Sequence, residues 1–521
     1  MTINRSPDAA TADFHAGGQF YDRKQWQAAL TSYDHAIALV PDFAEAHFRR
    51  GNVLFELGRW DAALASYGDA IRLKRDHAEA YFNLGVLLDQ LDELEAAATS
   101  YDLALLIRPN YAEAAYNRGN VLLKLDRWEA SLASYALAIA SKADYAEAYA
   151  NRAVVLSALN QVDLAIASCN QAIAIKHDHA EAYSNRGLLL QELQQWDAAV
   201  ASCNQAIAIR SDYAEAYFNR SIVSLLHGDF TQGWRDYERR RTGMRFAQPP
   251  WLGRESLAGR TILTYSEQGL GDTLQFCRYA NLLAALGANV LLEVEKPLAS
   301  LLANLDGVSR VITRGEELPA FDYQCPLLSL PLAFNTNLQS IPAQTRYLHV
   351  DAARVAHWRK RLEARTGATI GLRWSGNATY KRDHHRSIPL AELMQHLPAE
   401  FQYVSLQKDL RDADRETLRG SANICHFGDE LGDFSDAAAL CESLDLVISV
   451  DTSVAHLSAG LGRETWILLP ATPDWRWLLD RRDSPWYPTA TLYRQQRIGD
   501  WGAVLERLAA DLLARFGAPV E

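Results

Sequence analysis

Up to about residue 243 the apolar and small positions recur with a fixed step of 34 residues. The triplet Ala-Glu-Ala stands at 44–46, 78–80, 112–114, 146–148, 180–182 and 214–216. Trp26, Trp60, Trp128 and Trp196 are in register, with Leu94, Val162 and Phe230 in the gaps. Small residues share a column at Gly17, Gly51, Gly85, Gly119, Ala153, Gly187 and Ser221. Tyr33, Tyr67, Tyr101 and Tyr135 share another with Cys169, Cys203 and Tyr237. A helix-turn-helix unit of this length cannot bury its apolar face alone, so copies must stack. The pattern predicts about seven helix pairs over residues 10–243. In it the small column lets the first helix approach the second. The Trp and Tyr columns form core, and the two cysteines are buried thiols rather than ligands.

Beyond residue 243 the step is lost. Residues 244–259 carry Pro and Gly without clear periodicity and read as a linker. From Arg260 short β-rich runs alternate with helical stretches. TILTYSE, NVLLEVE, RVIT and FDYQCP are strands of a first unit, residues 260–352, with a helix from about Asp272 to Ala285. ATIGLRWSG, QYVSLQ, ANICHFG, LDLVISV and TWILLP are strands of a second, residues 353–521, closed by a helix from about Trp501. Alternating strands and helices imply parallel sheets. The fold class is therefore multidomain: an all-α solenoid, then an α/β part of two Rossmann-like lobes. Ligands belong at the carboxyl ends of the strands.

Composition narrows the function. A formal net charge of −12 with no compensating basic run argues against nucleic-acid binding. Six cysteines without a C-x-x-C indicate neither a zinc ribbon nor a disulfide framework, and free thiols fit a reducing compartment. No apolar run approaches the ~20 residues of a membrane span, and the first residues lack a signal-peptide pattern. The expectation is a cytoplasmic protein without a transmembrane segment.

Within the array, Asn83, Asn117, Asn151, Asn185 and Asn219 form one more column. Asn is a poor helix-interior residue because its amide competes for backbone hydrogen bonds. Five in register require a reason: bonds between adjacent repeats, or a ladder of amides holding an extended peptide.

Three stretches in the second half carry candidate chemistry. EQGLGDTLQF, residues 267–276, is a glycine-rich strand-to-helix turn in which Gly269 and Gly271 would allow a tight bend. It lacks the third glycine of a dinucleotide fingerprint. Asp272 is either a helix cap or a general base. LRWSGNATYKRDHHRSIPL, residues 372–390, gathers Arg373, Lys381, Arg382 and Arg386 with Ser375, Gly376 and Asn377. It is either a solvated loop or a set of cations facing a diphosphate. In DLVISVDTSVAHLSAGLG, residues 445–462, a strand ends at Asp451-Thr452-Ser453 and a helix begins at once, an arrangement suited to anions. His456 lies one turn further. Trp475, Trp477 and Trp486 read as packing, the adjacent His384 and His385 do not make a metal site, and the Asp-x-Asp at 412–414 reads as a solvated loop or helix.

The array resembles the tetratricopeptide family, and its Asn column is similar to the asparagine ladder by which O-linked N-acetylglucosamine transferases hold protein substrates. The second half resembles the bacterial heptosyltransferase-type glycosyltransferases of the GT-B fold. The matches are Gly271-Asp272 at the first strand-helix turn, the basic loop around Lys381, and Asp451-Thr452-Ser453 followed by His456. Ser453 stands where that family has glycine, and KRDHHRSIP replaces its Lys-x-Trp-Pro-like stretch.

The resemblance implies a metal-independent, inverting glycosyltransferase that needs no cofactor beyond its nucleotide-sugar donor. Residues 260–352 would be the acceptor side and 353–521 the donor side. Asp272 would be the base, with Glu267 as second choice. Gly271, Ser375, Gly376, Asn377, Lys381, Arg382, Asp451, Thr452, Ser453 and His456 would surround the donor. The Asn column would hold a protein or peptide acceptor or partner. The rival expectation is a binding scaffold whose transferase-like half is inactive.

Overall fold

The computed structural model describes residues 7–240, 245–363, 367–378 and 383–517. Its contacts divide the chain into two compact units, one up to Tyr213 and one from Ala214.

The first unit is six antiparallel helix pairs, beginning with Pro7–Asp22 and Trp26–Leu39 and ending with Ala180–Glu192 and Trp196–Ile209. The 34-residue step has a physical cause at each layer. The turn within each pair needs one left-handed residue, and Lys24, Gly58, Asp92, Asp126, Asn160 and Gln194 supply it, with φ between 54° and 67°. In the small column, a Cβ on Gly51 or Gly119 would lie 2.6 Å from the ring of Tyr67 or Tyr135. The Tyr rings are buried to within 1%. Ala replaces the glycine at 153, where the facing residue is the smaller Cys169, and Cys169 and Cys203 are fully buried. Burial pushes the Cys169 thiol up to about 12.

The Ala-Glu-Ala triplet divides its labour. Ala46, Ala80, Ala114, Ala148 and Ala182 are fully buried where helices approach. Glu79 pairs with Arg108, Glu147 with Lys176 at 3.3 Å and Glu181 with Arg210, each joining the start of a repeat's first helix to the end of its second. These pairs are half-exposed, so each contributes under about 1 kcal/mol.

The Trp column departs from the expected core. Trp26, Trp128 and Trp196 are half-buried and Trp60 is 42% exposed. Each Trp is the first residue of its helix, and Trp26 packs edge-on against Tyr21 at the rim of the core.

The second unit opens with a further helix pair, Ala214–Leu226 and Phe230–Tyr237. Arg220 forks onto the buried Asp236 at 2.7 and 2.9 Å. Strands β1 (Thr261–Tyr265), β2 (Asn289–Val294), β3 (Arg310–Thr313) and β4 (Tyr323–Pro326) form a parallel sheet in the order β3-β2-β1-β4. Strands β5 (Thr369–Arg373), β6 (Gln402–Ser405), β7 (Ile424–His426), β8 (Leu446–Val450), β9 (Thr465–Leu469) and β10 (Ala490–Arg494) form a second, in the order β10-β9-β8-β5-β6-β7, again all parallel. Strand β10 was absent from the expected elements. Strand β8 is buried at every residue, as a central parallel strand with both faces covered requires.

Trp475, Trp477 and Trp486 are core, each within 1% of full burial, and Trp475 meets Trp234 edge-on at 5.2 Å. The Asp-x-Asp begins the helix Asp412–Gly420, and Asp414 accepts from the Trp374 indole (3.0 Å) and the Leu390 N–H (3.2 Å), a structural role. No helix among the described residues is long and apolar enough to cross a membrane.

Candidate functional site

Strand β1 ends at Tyr265, and the chain passes through Ser266–Gly269 into the helix Leu270–Phe276. Gly269 is the N-cap with φ −69°, so neither it nor Gly271 is needed for a left-handed bend. Gly271 is required for a different reason. A Cβ there would lie 2.9 Å from the His456 ring and 3.4 Å from the Ser453 Cα. The turn of the first lobe thus packs on the start of the helix Ser453–Gly460 in the second.

Asp272 stands at the third position of its helix, not at the cap. Its Oδ2 accepts from the Gly269 N–H at 2.8 Å, and its Oδ1 accepts from Arg476. The carboxylate is one-fifth exposed. Burial raises its pKa, with Asp474 adding to the rise, against the lowering pull of Arg476, Gly269 and Arg240. Arg476 also donates from Nε to Gln275 (2.8 Å) and from Nη1 to Asp474 (2.8 Å), and lies 4.3 Å over the Trp475 ring. Burial disfavours its charge, yet Asp474 and Asp272 together hold its pKa above the ordinary arginine value.

His456 is buried, stacked on Trp477 at 5.3 Å, with Nδ1 2.8 Å from the Tyr487 hydroxyl. Burial first, then Arg476 and Arg278, push its pKa well below 6.5, so the ring is neutral at pH 7. Arg278 crosses between the lobes as well, donating to the Trp486 carbonyl at 2.7 Å and to the Tyr347 hydroxyl at 2.9 Å.

At the end of β8, burial and the neighbouring Asp474 push Asp451 up to about 6, with Arg386 opposing. Thr452 is the N-cap of the Ser453 helix but makes no side-chain cap bond. Its hydroxyl lies 3.2 Å from Ser449 Oγ, which itself donates to the Val450 carbonyl, so Thr452 is the donor between them. An uncapped helix start offers its N–H groups to an anion.

The basic loop is described only in part. Lys381 and Arg382 lie outside the described residues. Ser375 is 1% exposed, and its hydroxyl has no hydrogen-bond partner among the described residues. The Gly376 N–H donates to Ser387 (3.0 Å), and a Cβ on Gly376 would overlap Asp383 and Arg386. Asn377 is exposed. Asp383, buried, accepts from Arg386 (3.0 Å), Ser387 (2.6 Å) and Arg411. That hub aims Arg386 Nη1 at the Asp451 carbonyl, 2.9 Å away, and so links the basic loop to the Asp-Thr-Ser turn. Burial lowers the Arg373 pKa to about 10.

The second-choice base, Glu267, lies in a cleft of about 790 Å³. Phe218, Arg240, Arg245, Ser266 and Arg314 share its lining. Glu267 is ion-paired with Arg240.

In the array, residues of the Asn column bond between repeats, Asn117 meeting the Tyr101 hydroxyl of the preceding one. Asn83 donates to Asn52 Oδ1 (2.8 Å), and Asn151 donates to Asn120 Oδ1 (2.9 Å) and to the Tyr116 hydroxyl (3.1 Å). Asn117 and Asn185 are half-buried and Asn219 is 8% exposed.

Sequence reasoning overlooked Asp474, Arg476, Tyr487 and Arg278. The segment 470–488 is rich in aromatics, and that masked the charged residues among them.

The family models that match this chain end where the first compact unit ends. Models described as "TPR repeat" match residues 17–58 and 51–92, and models described as "Tetratricopeptide repeat" match 78–111, 116–180 and 180–213. Residues 17–213 are tetratricopeptide repeats. Protein FlbA of Caulobacter vibrioides is 28% identical over 323 residues, 56% of this chain and 53% of FlbA. The chain thus spans about half the length of that curated relative. Among solved structures, YrrB, described as a TPR protein with an unusual peptide-binding site, is 23% identical. It covers 35% of this chain and 95% of its own, with a TM-score of 0.33. A tetratricopeptide repeat protein from Parabacteroides merdae is 18% identical and covers 46% of this chain and 94% of its own, with a TM-score of 0.38.

Proposed function

We propose that the chain is a glycosyltransferase of GT-B type whose repeat array recruits a polypeptide acceptor. The observation that supports this best is the packing of the Gly271–Asp272 turn on the uncapped helix start at Thr452–Ser453. A base and an anion site then meet at the carboxyl ends of two parallel sheets.

Asp272 removes the proton from an acceptor hydroxyl. The acceptor oxygen forms a bond to the anomeric carbon while the bond from that carbon to the phosphate oxygen breaks. The departing nucleoside diphosphate takes that electron pair. Displacement from the face opposite the phosphate inverts the anomeric centre. The helix N–H groups at Ser453 and the cations Lys381, Arg382 and Arg386 receive the phosphate charge. The helix dipole contributes only about 0.3–1 kcal/mol, so the basic loop supplies most of the compensation. Neutral His456 adds no charge of its own. The Asn column lines the face on which the array holds an extended acceptor segment.

A thermal-shift panel of nucleotide sugars, followed by transfer assays on acceptors trapped by the array, tests the reading. A genuine donor raises the melting temperature with saturation, and Asp272→Ala lowers transfer by about 10²-fold or more. Wild-type transfer rates in that variant would refute Asp272 as base. A second reading, a binding scaffold without turnover, draws support from one observation: both Asp272 oxygens already have structural partners in Gly269 and Arg476. Failure of every donor to bind would favour it.

A further inference from the structure

Arg476 occupies an unusual position. It follows β9 in the second lobe, is 6% exposed, and reaches the first lobe through two side chains, Asp272 and Gln275. Its third partner, Asp474, comes from its own turn and also accepts from the Arg476 backbone N–H at 3.0 Å. The guanidinium is thereby fixed in plane by three acceptors and sandwiched against Trp475 and Phe276. A planar fork of donors is what such a three-point clamp demands, and lysine cannot reproduce it.

We propose that Arg476 is a positioning residue for the reaction: it clamps Asp272 across the lobe junction, so that the first-lobe carboxylate is aimed only when the second lobe is in place. The inference rests on the transferase reading for its catalytic meaning, but the clamp can be tested without turnover. Arg476 holds Oδ1 and the Gly269 N–H holds Oδ2, so the carboxylate plane cannot rotate. One-fifth of the side chain is still open to solvent, and an acceptor hydroxyl must arrive there. The charged and titratable groups around Asp272 are Arg476 and Asp474 from the segment after β9, and Arg240 and Tyr237 from the end of the last repeat. His456 packs on the adjacent Gly271. A clamp that sets the charge state of Asp272 must therefore respond in opposite directions to loss of the cation and loss of the neighbouring anion.

The test uses the full chain labelled with aspartate carrying ¹³C at the carboxyl, with the Asp272 signal identified by its loss in Asp272→Asn. In Arg476→Met the Asp272 titration midpoint rises by about one pH unit or more, and in Asp474→Asn it falls. Arg476→Lys restores part of the wild-type midpoint. A residue that merely fills space would leave the midpoint where it is, so unchanged midpoints in folded variants overturn the proposal. If Arg476→Met does not fold, Asp474→Asn decides alone, because it keeps the arginine and its contact to Asp272. Once transfer is measurable, the acidic limb of kcat/KM moves with the midpoint in each variant. Moved midpoints with no nucleotide sugar bound would keep the clamp and remove the transferase reading.

Discussion

The two units of this chain obtain order in opposite ways. In the array a left-handed turn residue returns at each step, a glycine lies under a tyrosine in four repeats, and a glutamate joins a base 29 residues on in three. In the second unit the decisive contacts occur once and join residues about two hundred positions apart. Arg476 meets Asp272 across 204 residues, and Arg278 meets Trp486 across 208. Repetition makes an architecture tolerant, because each repeat interacts mainly with its neighbours. Single long-range contacts concentrate stability at one junction, and damage there has no substitute.

That contrast can be broken or sharpened by experiment. The largest effect is expected from Trp475→Ala. This side chain is 1% exposed and touches Trp234, Phe276 and Trp486. Its loss should cost about 3–5 kcal/mol. Hydrogen exchange read by mass spectrometry should show protection falling throughout the residues after Ala214 while the residues before it keep theirs. Equal loss in both units would break the comparison.

Next comes Asp451. Its folded pKa of about 6 lies above the ordinary aspartate value of 3.8, so the folded state binds the extra proton between those values. Stability from this group is therefore greatest at low pH and declines as pH rises towards 6. Asp451→Asn removes the decline. The variant should gain stability on the order of 3 kcal/mol relative to the wild type between about pH 4 and pH 7, read by urea unfolding at each pH. An identical pH slope in both proteins would show that the carboxylate is not disfavoured at this junction.

The smallest effect belongs to the array. Gly119→Ala places a methyl against the Tyr135 ring and should cost about 1–3 kcal/mol, confined to neighbouring helix pairs. Ala153→Gly, where Cys169 already leaves room, should cost only about 0.5–1 kcal/mol. A reversal of that order would refute the reading of the small column as tyrosine clearance.

The same contrast explains what was legible in the sequence. The pair count, the role of the glycines and the burial of Cys169 and Cys203 could be read because each observation was made several times over. The Trp column misled because a recurring apolar residue signals contact without saying how deep it lies. In the α/β part, nine of the ten strands were visible as short β-rich runs, and β10 was lost in the aromatic segment before it. Gly271 was singled out for a tight bend, but its backbone needs none and the constraint comes from His456, some 180 positions on. Asp383, the hub behind Gly376 and Arg386, looked like one more charge in a solvated run. Arg476 could not be found at all, because its meaning lies in partners supplied by two lobes.

Under the proposed function, the lobe junction transfers sugar with Asp272 as base. Intact-mass spectrometry of array-trapped acceptor, incubated with a nucleotide sugar that stabilises the protein, tests it most directly. Wild-type chain should add one sugar mass to the acceptor, and Asp272→Asn, still binding the donor, should add none in the same time. Equal addition by both proteins would contradict the account.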